Sequence, residues 1–159
     1  MTGVLWNILL ALAWAGMTEN FTPSNLTIGF LLGLIVLFFA RRVVGTPNYP
    51  IKICQVLGLQ LFTVWELILA NLRIAYEVIT PNYNMRPGVV AVPLDAKTDA
   101  EITLLACLIT LTPGTLSLDV AADRSVLYIH VMYVDNDDLE AVRRTIKQGF
   151  ERRVLEVLR

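Results

Sequence analysis

Charge is the first thing this sequence is short of. Across residues 1–40 the single ionisable side chain is Glu19. Over all 159 residues, charged side chains make up 17% against 55% apolar, where a soluble domain carries about 25% charged. The net charge of −1 gives no electrostatic argument for a nucleic-acid partner. Histidine occurs once, as His130, and cysteine twice, as Cys54 and Cys107. The cysteines show no C-x-x-C or other zinc spacing, so no metal site is expected, and both thiols are read as reduced and buried. His130 has no partner triad in the sequence and reads as a packed or interface residue. The chain also lacks G-x-G-x-x-G, the P-loop, H-E-x-x-H and G-x-S-x-G. The acidic run at 135–138 lacks the glycine and terminal glutamate of a calcium loop. No catalytic residue and no cofactor are therefore expected, and the chain is not read as an enzyme.

What is present is apolar length. Residues 3–17 are apolar apart from Asn7, and residues 26–40 apart from Thr27. Thr22-Pro23 supplies an N-cap and a first-turn proline, so a helix from Pro23 to Arg42 reaches the roughly 20 residues a membrane span needs. A first helix from about Thr2 to Glu19 is marginal in length and implies little tilt. Only Thr18–Thr22 remain for the turn, which forces an antiparallel pair. Residues 1–44 are thus expected to form a two-helix transmembrane hairpin. Gly29 and Gly33, like Ala11 and Ala15, form small-xxx-small steps that let helix backbones approach in lipid. Ala13-Trp14-Ala15 resembles a signal-peptide cleavage site, but no basic residue precedes the apolar run and a second run follows at once. Arg41, Arg42 and Lys52 follow the second span, so the positive-inside rule puts both ends in the cytoplasm.

Residues 45–84 read as a linker and one amphipathic helix, Ile51–Thr80. Placed on a helical wheel, Lys52, Gln55, Thr63, Glu66, Arg73, Glu77 and Thr80 share a sector about 100° wide, and the opposite side is apolar. A membrane span would bury Glu66 and Arg73 at a few kcal/mol each, whereas a helix lying in the cytoplasmic interface keeps both wet. The interfacial helix is the expectation. The alternative, a third span with its polar stripe turned to partner subunits, would move the C-terminal domain outside.

Residues 85–159 have the balance of a soluble domain, with nine Lys/Arg against eleven Asp/Glu. Val89–Pro93 reads as a strand. Thr98-Asp99-Ala100-Glu101 is a capping box opening a helix that Pro113-Gly114 ends. Thr115–Val120 and Val126–Val134 read as a strand hairpin. A last helix follows the acidic run, with Leu139, Val142, Ile146, Phe150, Leu155 and Leu158 as its core stripe. The expectation is a small cytoplasmic α/β domain of order βαββα, with helices packed on one sheet face. Thr112-Pro113-Gly114 is a turn suited either to joining helix and strand or to meeting a partner.

Several segments taken together resemble a known family. They are Trp6-Asn7-Ile8-Leu9-Leu10, Asn25-Leu26-Thr27-Ile28-Gly29-Phe30, Ala70-Asn71-Leu72-Arg73-Ile74-Ala75, Arg86-Pro87-Gly88-Val89-Val90, Leu111-Thr112-Pro113-Gly114-Thr115-Leu116-Ser117 and Leu127-Tyr128-Ile129-His130. Nearly the whole chain is similar to the E-type subunits of the multisubunit Mrp (Mnh) type Na⁺/H⁺ antiporters. The resemblance implies an accessory and assembly component of a hetero-oligomeric complex in the bacterial plasma membrane, exchanging cytoplasmic Na⁺ for external H⁺. Its implied partners are other membrane subunits and the lipid bilayer. On this reading Gly29 and Gly33 pack helices, and Thr112, Pro113 and Gly114 shape a partner-facing turn. Glu66 and Arg73 are candidates to line or gate an ion path. The alternative is a stand-alone membrane-tethered α/β adapter or ligand-binding module.

Overall fold

The computed structural model describes residues 2–40, 49–80, 85–134 and 139–159. The expected linker basics Arg41 and Arg42 and the acidic run at 135–138 lie outside the described residues. Two compact units are distinguished, one ending at Cys54 and one running from Gln55 to Arg159.

The first unit holds helices α1 (Thr2–Met17) and α2 (Pro23–Ala40) and the start of α3 (Tyr49–Ile79). Helices α1 and α2 form an antiparallel hairpin whose turn is built from side chains. Asn25 Nδ2 donates to Thr18 Oγ1 and to the Asn20 carbonyl, both at 2.6 Å, and Asn25 Oδ1 accepts from Trp14 Nε1 at 3.0 Å. Glu19 adopts φ +52°. The Asn20 amide reaches the Ala15 carbonyl at 3.1 Å and the Glu19 amide the Gly16 carbonyl at 3.3 Å. This is a Schellman ending with glutamate where glycine is usual. Ala11, Ala15, Gly29, Gly33 and Leu37 are buried along the seam. A Cβ at Gly29 would stand 3.0 Å from the Ala11 carbonyl oxygen, and one at Gly33 would collide with Asn7 Oδ1. Asn7 is wholly buried there, its Nδ2 donating to the Tyr49 hydroxyl at 3.2 Å. Elsewhere the hairpin exposes many Leu, Ile, Val, Trp and Phe side chains. Helices apolar all round belong inside protein or lipid.

Among the described residues, two helices, α2 and α3, are long and apolar enough to cross a membrane. Helix α1, at 16 residues, rises about 24 Å and falls short of a hydrocarbon core about 30 Å thick.

The second unit begins within α3, a 31-residue helix about 46 Å long. After it come β1 (Gly88–Pro93), α4 (Asp99–Leu111), β2 (Thr115–Val120) and β3 (Val126–Val131). The C-terminal helix follows as α5 (Leu139–Ile146), a π-helical turn (Lys147–Glu151) and α6 (Arg152–Leu158). The strands make one antiparallel sheet in the order β1-β3-β2, so the hairpin strand β3 is central and β1 closes its free side. Alternation sends Val90 and Val92 of β1 and Leu127, Ile129 and Val131 of β3 to one face. There they meet Leu105 and Ile109 of α4 and Ile146 and Phe150 of the C-terminal helix. The expected capping box is present: Thr98 Oγ1 accepts the Glu101 amide at 3.2 Å while Glu101 Oε2 accepts the Thr98 amide at 3.2 Å.

Two details depart from the sequence reading. The π turn sets the residues after it back by one position, about 100°, which brings Val154 to the core face, where it is fully buried; Leu155 is only half-buried and Leu158 is exposed. Both cysteines are exposed rather than buried. Cys54 and Cys107 stand on outward faces of α3 and α4, where the helical phase rather than the character of the thiol sets exposure.

Candidate functional site

Part of the polar stripe of α3 is covered by the α/β domain, while Arg73 remains exposed. Thr63 and Glu77 are buried, and Gln55 and Glu66 are half-buried. Phe62 stacks edge-on against Phe150 with centroids 5.1 Å apart. The Arg153 guanidinium caps its ring at 3.8 Å, within cation–π range. Gly149 makes room for that aromatic contact, since a Cβ there would lie 3.1 Å from Phe62 Cζ. Glu66 is half-buried where the expectation kept it wet, and Arg73 is exposed.

Further along the same seam the surfaces part and leave a cavity of about 520 Å³, the size of a small-molecule site. Helix α3 contributes Glu66, Leu69, Ala70 and Arg73. The facing wall includes Thr112, Pro113 and Gly114 of the turn after α4. The cavity therefore brings together Glu66, Arg73, Thr112, Pro113 and Gly114, residues 39 or more positions apart on either side of the domain's first strand and helix. Gly29 and Gly33 belong to the hairpin seam and take no part in it.

The turn has a definite geometry. The Thr115 amide bonds the Thr112 carbonyl at 3.2 Å, with Pro113 at the second position and Gly114 at the third with φ +88°. That is a type II turn, whose third position demands positive φ. Thr112 Oγ1 donates to the Leu108 carbonyl at 3.1 Å, and Thr115 Oγ1 to the Ile109 and Thr112 carbonyls at 2.6 and 2.9 Å. Thr145, also in the lining, donates to the Ala141 carbonyl at 3.0 Å. These hydroxyls have spent their protons on the backbone and can only accept. The side-chain donors left in the wall are Arg73 and Tyr133. The Arg73 guanidinium stands 5.3 Å over the Tyr133 ring, and the Tyr133 hydroxyl is buried with no hydrogen-bond partner. Glu66 has no hydrogen bond or ion pair with any described residue. Tyr133 carries no recognisable sequence signal; its role comes from the strand order, which sets the end of β3 beside the turn after α4.

A separate polar knot closes the far end of the domain. Glu101 is buried and accepts the Lys97 amide at 2.8 Å and Arg159 Nε at 2.9 Å. The Arg159 hydrogen bond first, then the Lys97 and Thr98 amides, pull its pKa down to about 2. The same ion pair raises the Arg159 pKa. Beside it, buried Glu151 accepts the Asp95 and Ala96 amides at 2.6 and 3.0 Å. Among the described residues no group of three or more His, Cys, Asp or Glu is arranged to hold a metal ion. His130 lies half-buried in β3, opposite Val89 and Leu116.

Residues 7–157 match the family described as Na+/H+ ion antiporter subunit (MNHE). The chain is 40% identical over 154 residues to the E-type Na(+)/H(+) antiporter subunit of Alkalihalophilus pseudofirmus, covering 97% of this chain and 96% of that one. It is 38% identical over 156 residues to the E-type Na(+)/H(+) antiporter subunit of Bacillus subtilis, covering 98% of both. Among solved structures it is similar to a chain of the membrane-bound sulfane sulfur reductase, an archaeal respiratory membrane complex. That match has a TM-score of 0.58 and 29% identity and covers 96% of each chain.

Proposed function

As the chain belongs to the Na+/H+ ion antiporter subunit family, we propose that it is an accessory and assembly component of a multisubunit Na⁺/H⁺ antiporter complex in a bacterial plasma membrane. The observation that carries this reading is the match over residues 7–157, with relatives of nearly the same length aligned end to end. The complex exchanges cytoplasmic Na⁺ for external H⁺. The hairpin anchors the protein and packs against neighbouring spans through its small-residue seam. Helix α3 lies in the cytoplasmic interface with its apolar face to lipid. The α/β domain stays in the cytoplasm, where its Thr112–Gly114 turn meets partner subunits.

The physical support is the poverty of the hairpin in ionisable groups. A proton relay uses a chain of such groups across the membrane, and the described spans α1 and α2 contain none. Recovery of the tagged chain in mild detergent is expected to bring down several multi-span subunits. Vesicles lacking the chain are expected to lose Na⁺/H⁺ exchange and regain it with the wild-type chain. Recovery of the chain alone would return the stand-alone adapter reading.

A second reading has one observation in its favour. Glu66 is half-buried at a cavity and unpaired among the described residues, as expected of a group that lines an ion path with Arg73. Unchanged Na⁺ dependence of exchange in Glu66→Gln complexes would remove it.

A further inference from the structure

The cavity behind α3 carries one acid, one base and an apolar wall. We propose that it binds one zwitterionic phospholipid with a primary ammonium, the chemistry of phosphatidylethanolamine. This rests on the reading that α3 lies at the membrane with its apolar face to lipid.

Glu66 and Arg73 are seven residues apart, two turns and about 10 Å along one helix face. They border the same cavity at different depths along the helix axis. Around them the hydroxyls of Thr112, Thr115 and Thr145 offer only lone pairs, because their protons go to backbone carbonyls. An acceptor-rich wall with a carboxylate suits a primary ammonium, which has three donors and no acceptor. Arg73 and the unpartnered Tyr133 hydroxyl are donors, and together they suit a phosphate. The remaining lining, including Leu69, Ile109, Ile146 and Phe150, matches an acyl chain.

Other occupants leave something unanswered. An anionic lipid without an ammonium meets Arg73 with its phosphate but leaves Glu66 without a cation. A cationic ligand leaves Arg73 without an anion. A water-soluble zwitterion leaves the apolar wall empty. The opposite face of α3 exposes Leu61, Val64, Trp65, Ile68 and Leu72, so the source of the lipid adjoins the cavity.

The test uses the full chain in mild detergent and in vesicles. Native mass spectrometry with equal phosphatidylethanolamine and phosphatidylglycerol should show the ethanolamine lipid retained in roughly fivefold preference. Glu66→Gln, which preserves shape, should bring that ratio close to one. Arg73→Gln should weaken both lipids, and Ala70→Trp, which fills the cavity, should abolish retention. In parallel, Trp65 quenching by brominated lipid is read in a Trp6→Phe/Trp14→Phe background. Quenching together with the selective, Ala70→Trp-sensitive adduct supports the site. Quenching with no selectivity, or with an adduct that survives Ala70→Trp, overturns the lipid site and leaves the membrane-facing helix standing. No quenching overturns both. In the whole complex, a photo-reactive group at Ala70 that cross-links to another protein component overturns the lipid in favour of a protein occupant.

Discussion

Single residues here act through what they lack as much as through what they touch. Gly114 holds φ +88° at the third position of a turn that lines the cavity. Its added Cβ would meet nothing nearer than Met132 Sδ at 3.6 Å, so the penalty of Gly114→Ala is conformational, not steric. Loss of about 1–2 kcal/mol of stability is expected, read as a lower midpoint in detergent denaturation. Glu101 works in the opposite way, by being fully answered. Its carboxylate is held at a pKa of about 2, first by Arg159 and then by the Lys97 and Thr98 amides. A depressed folded pKa contributes stability that is complete above the ordinary value of 4.5 and is lost as pH falls from there toward the folded value. Arg159→Leu should raise the Glu101 pKa, seen by carboxyl NMR titration, and move acid unfolding of the domain to higher pH. Glu101 was readable in the sequence as the closing member of a capping box. Its bond to Arg159, 58 positions away, was not, because no local pattern specifies a contact of that range.

At the scale of elements, the hairpin shows what short-range patterns can and cannot carry. The four-residue spacing of Gly29 and Gly33 pointed to a close helix seam, and the same two glycines lie against Ala11 and Asn7. Gly33→Leu would drive a branched side chain into Asn7. The expected result is an opened hairpin and less intact complex recovered in mild detergent. At the turn, Glu19 occupies the left-handed region at a cost of about 1–2 kcal/mol, and Glu19→Gly should return part of that as a higher thermal midpoint. Helix α3 marks the limit of such patterns. Its polar stripe was visible on the helical wheel, but a wheel describes a face and not what covers it. The order β1-β3-β2 was equally hidden, since β1 offers the same apolar alternation to either neighbour.

For the whole molecule, a cytoplasmic α/β domain is expected to be cleaved by protease in inside-out vesicles and protected in right-side-out ones. Cleavage only from the outside would require α3 to cross the membrane. Fold class was legible because lipid and water select such different compositions, and residues 1–40 and 81–159 differ accordingly. The cavity was not legible as a site. Glu66 and Arg73 were singled out for their charge and Thr112, Pro113 and Gly114 for their turn. Nothing in the one-dimensional pattern joined the two sets, because the tertiary seam that unites them is made by Phe62, Phe150 and the fold of the sheet.

The wide turn at Lys147–Glu151 has a bearing on the history of the chain. A π turn holds one residue more than an α-helix of the same span. Tightening it at constant length would rotate Arg153 to where Val154 now sits, and a guanidinium would replace a methyl pair in the core. Removing one residue as the turn tightens instead leaves Val154 facing inward. A single-residue deletion at this place is therefore the one change of helix length that the core absorbs. Descendants of a common ancestor should differ here by one residue or by none, with the shorter forms wound as an unbroken α-helix.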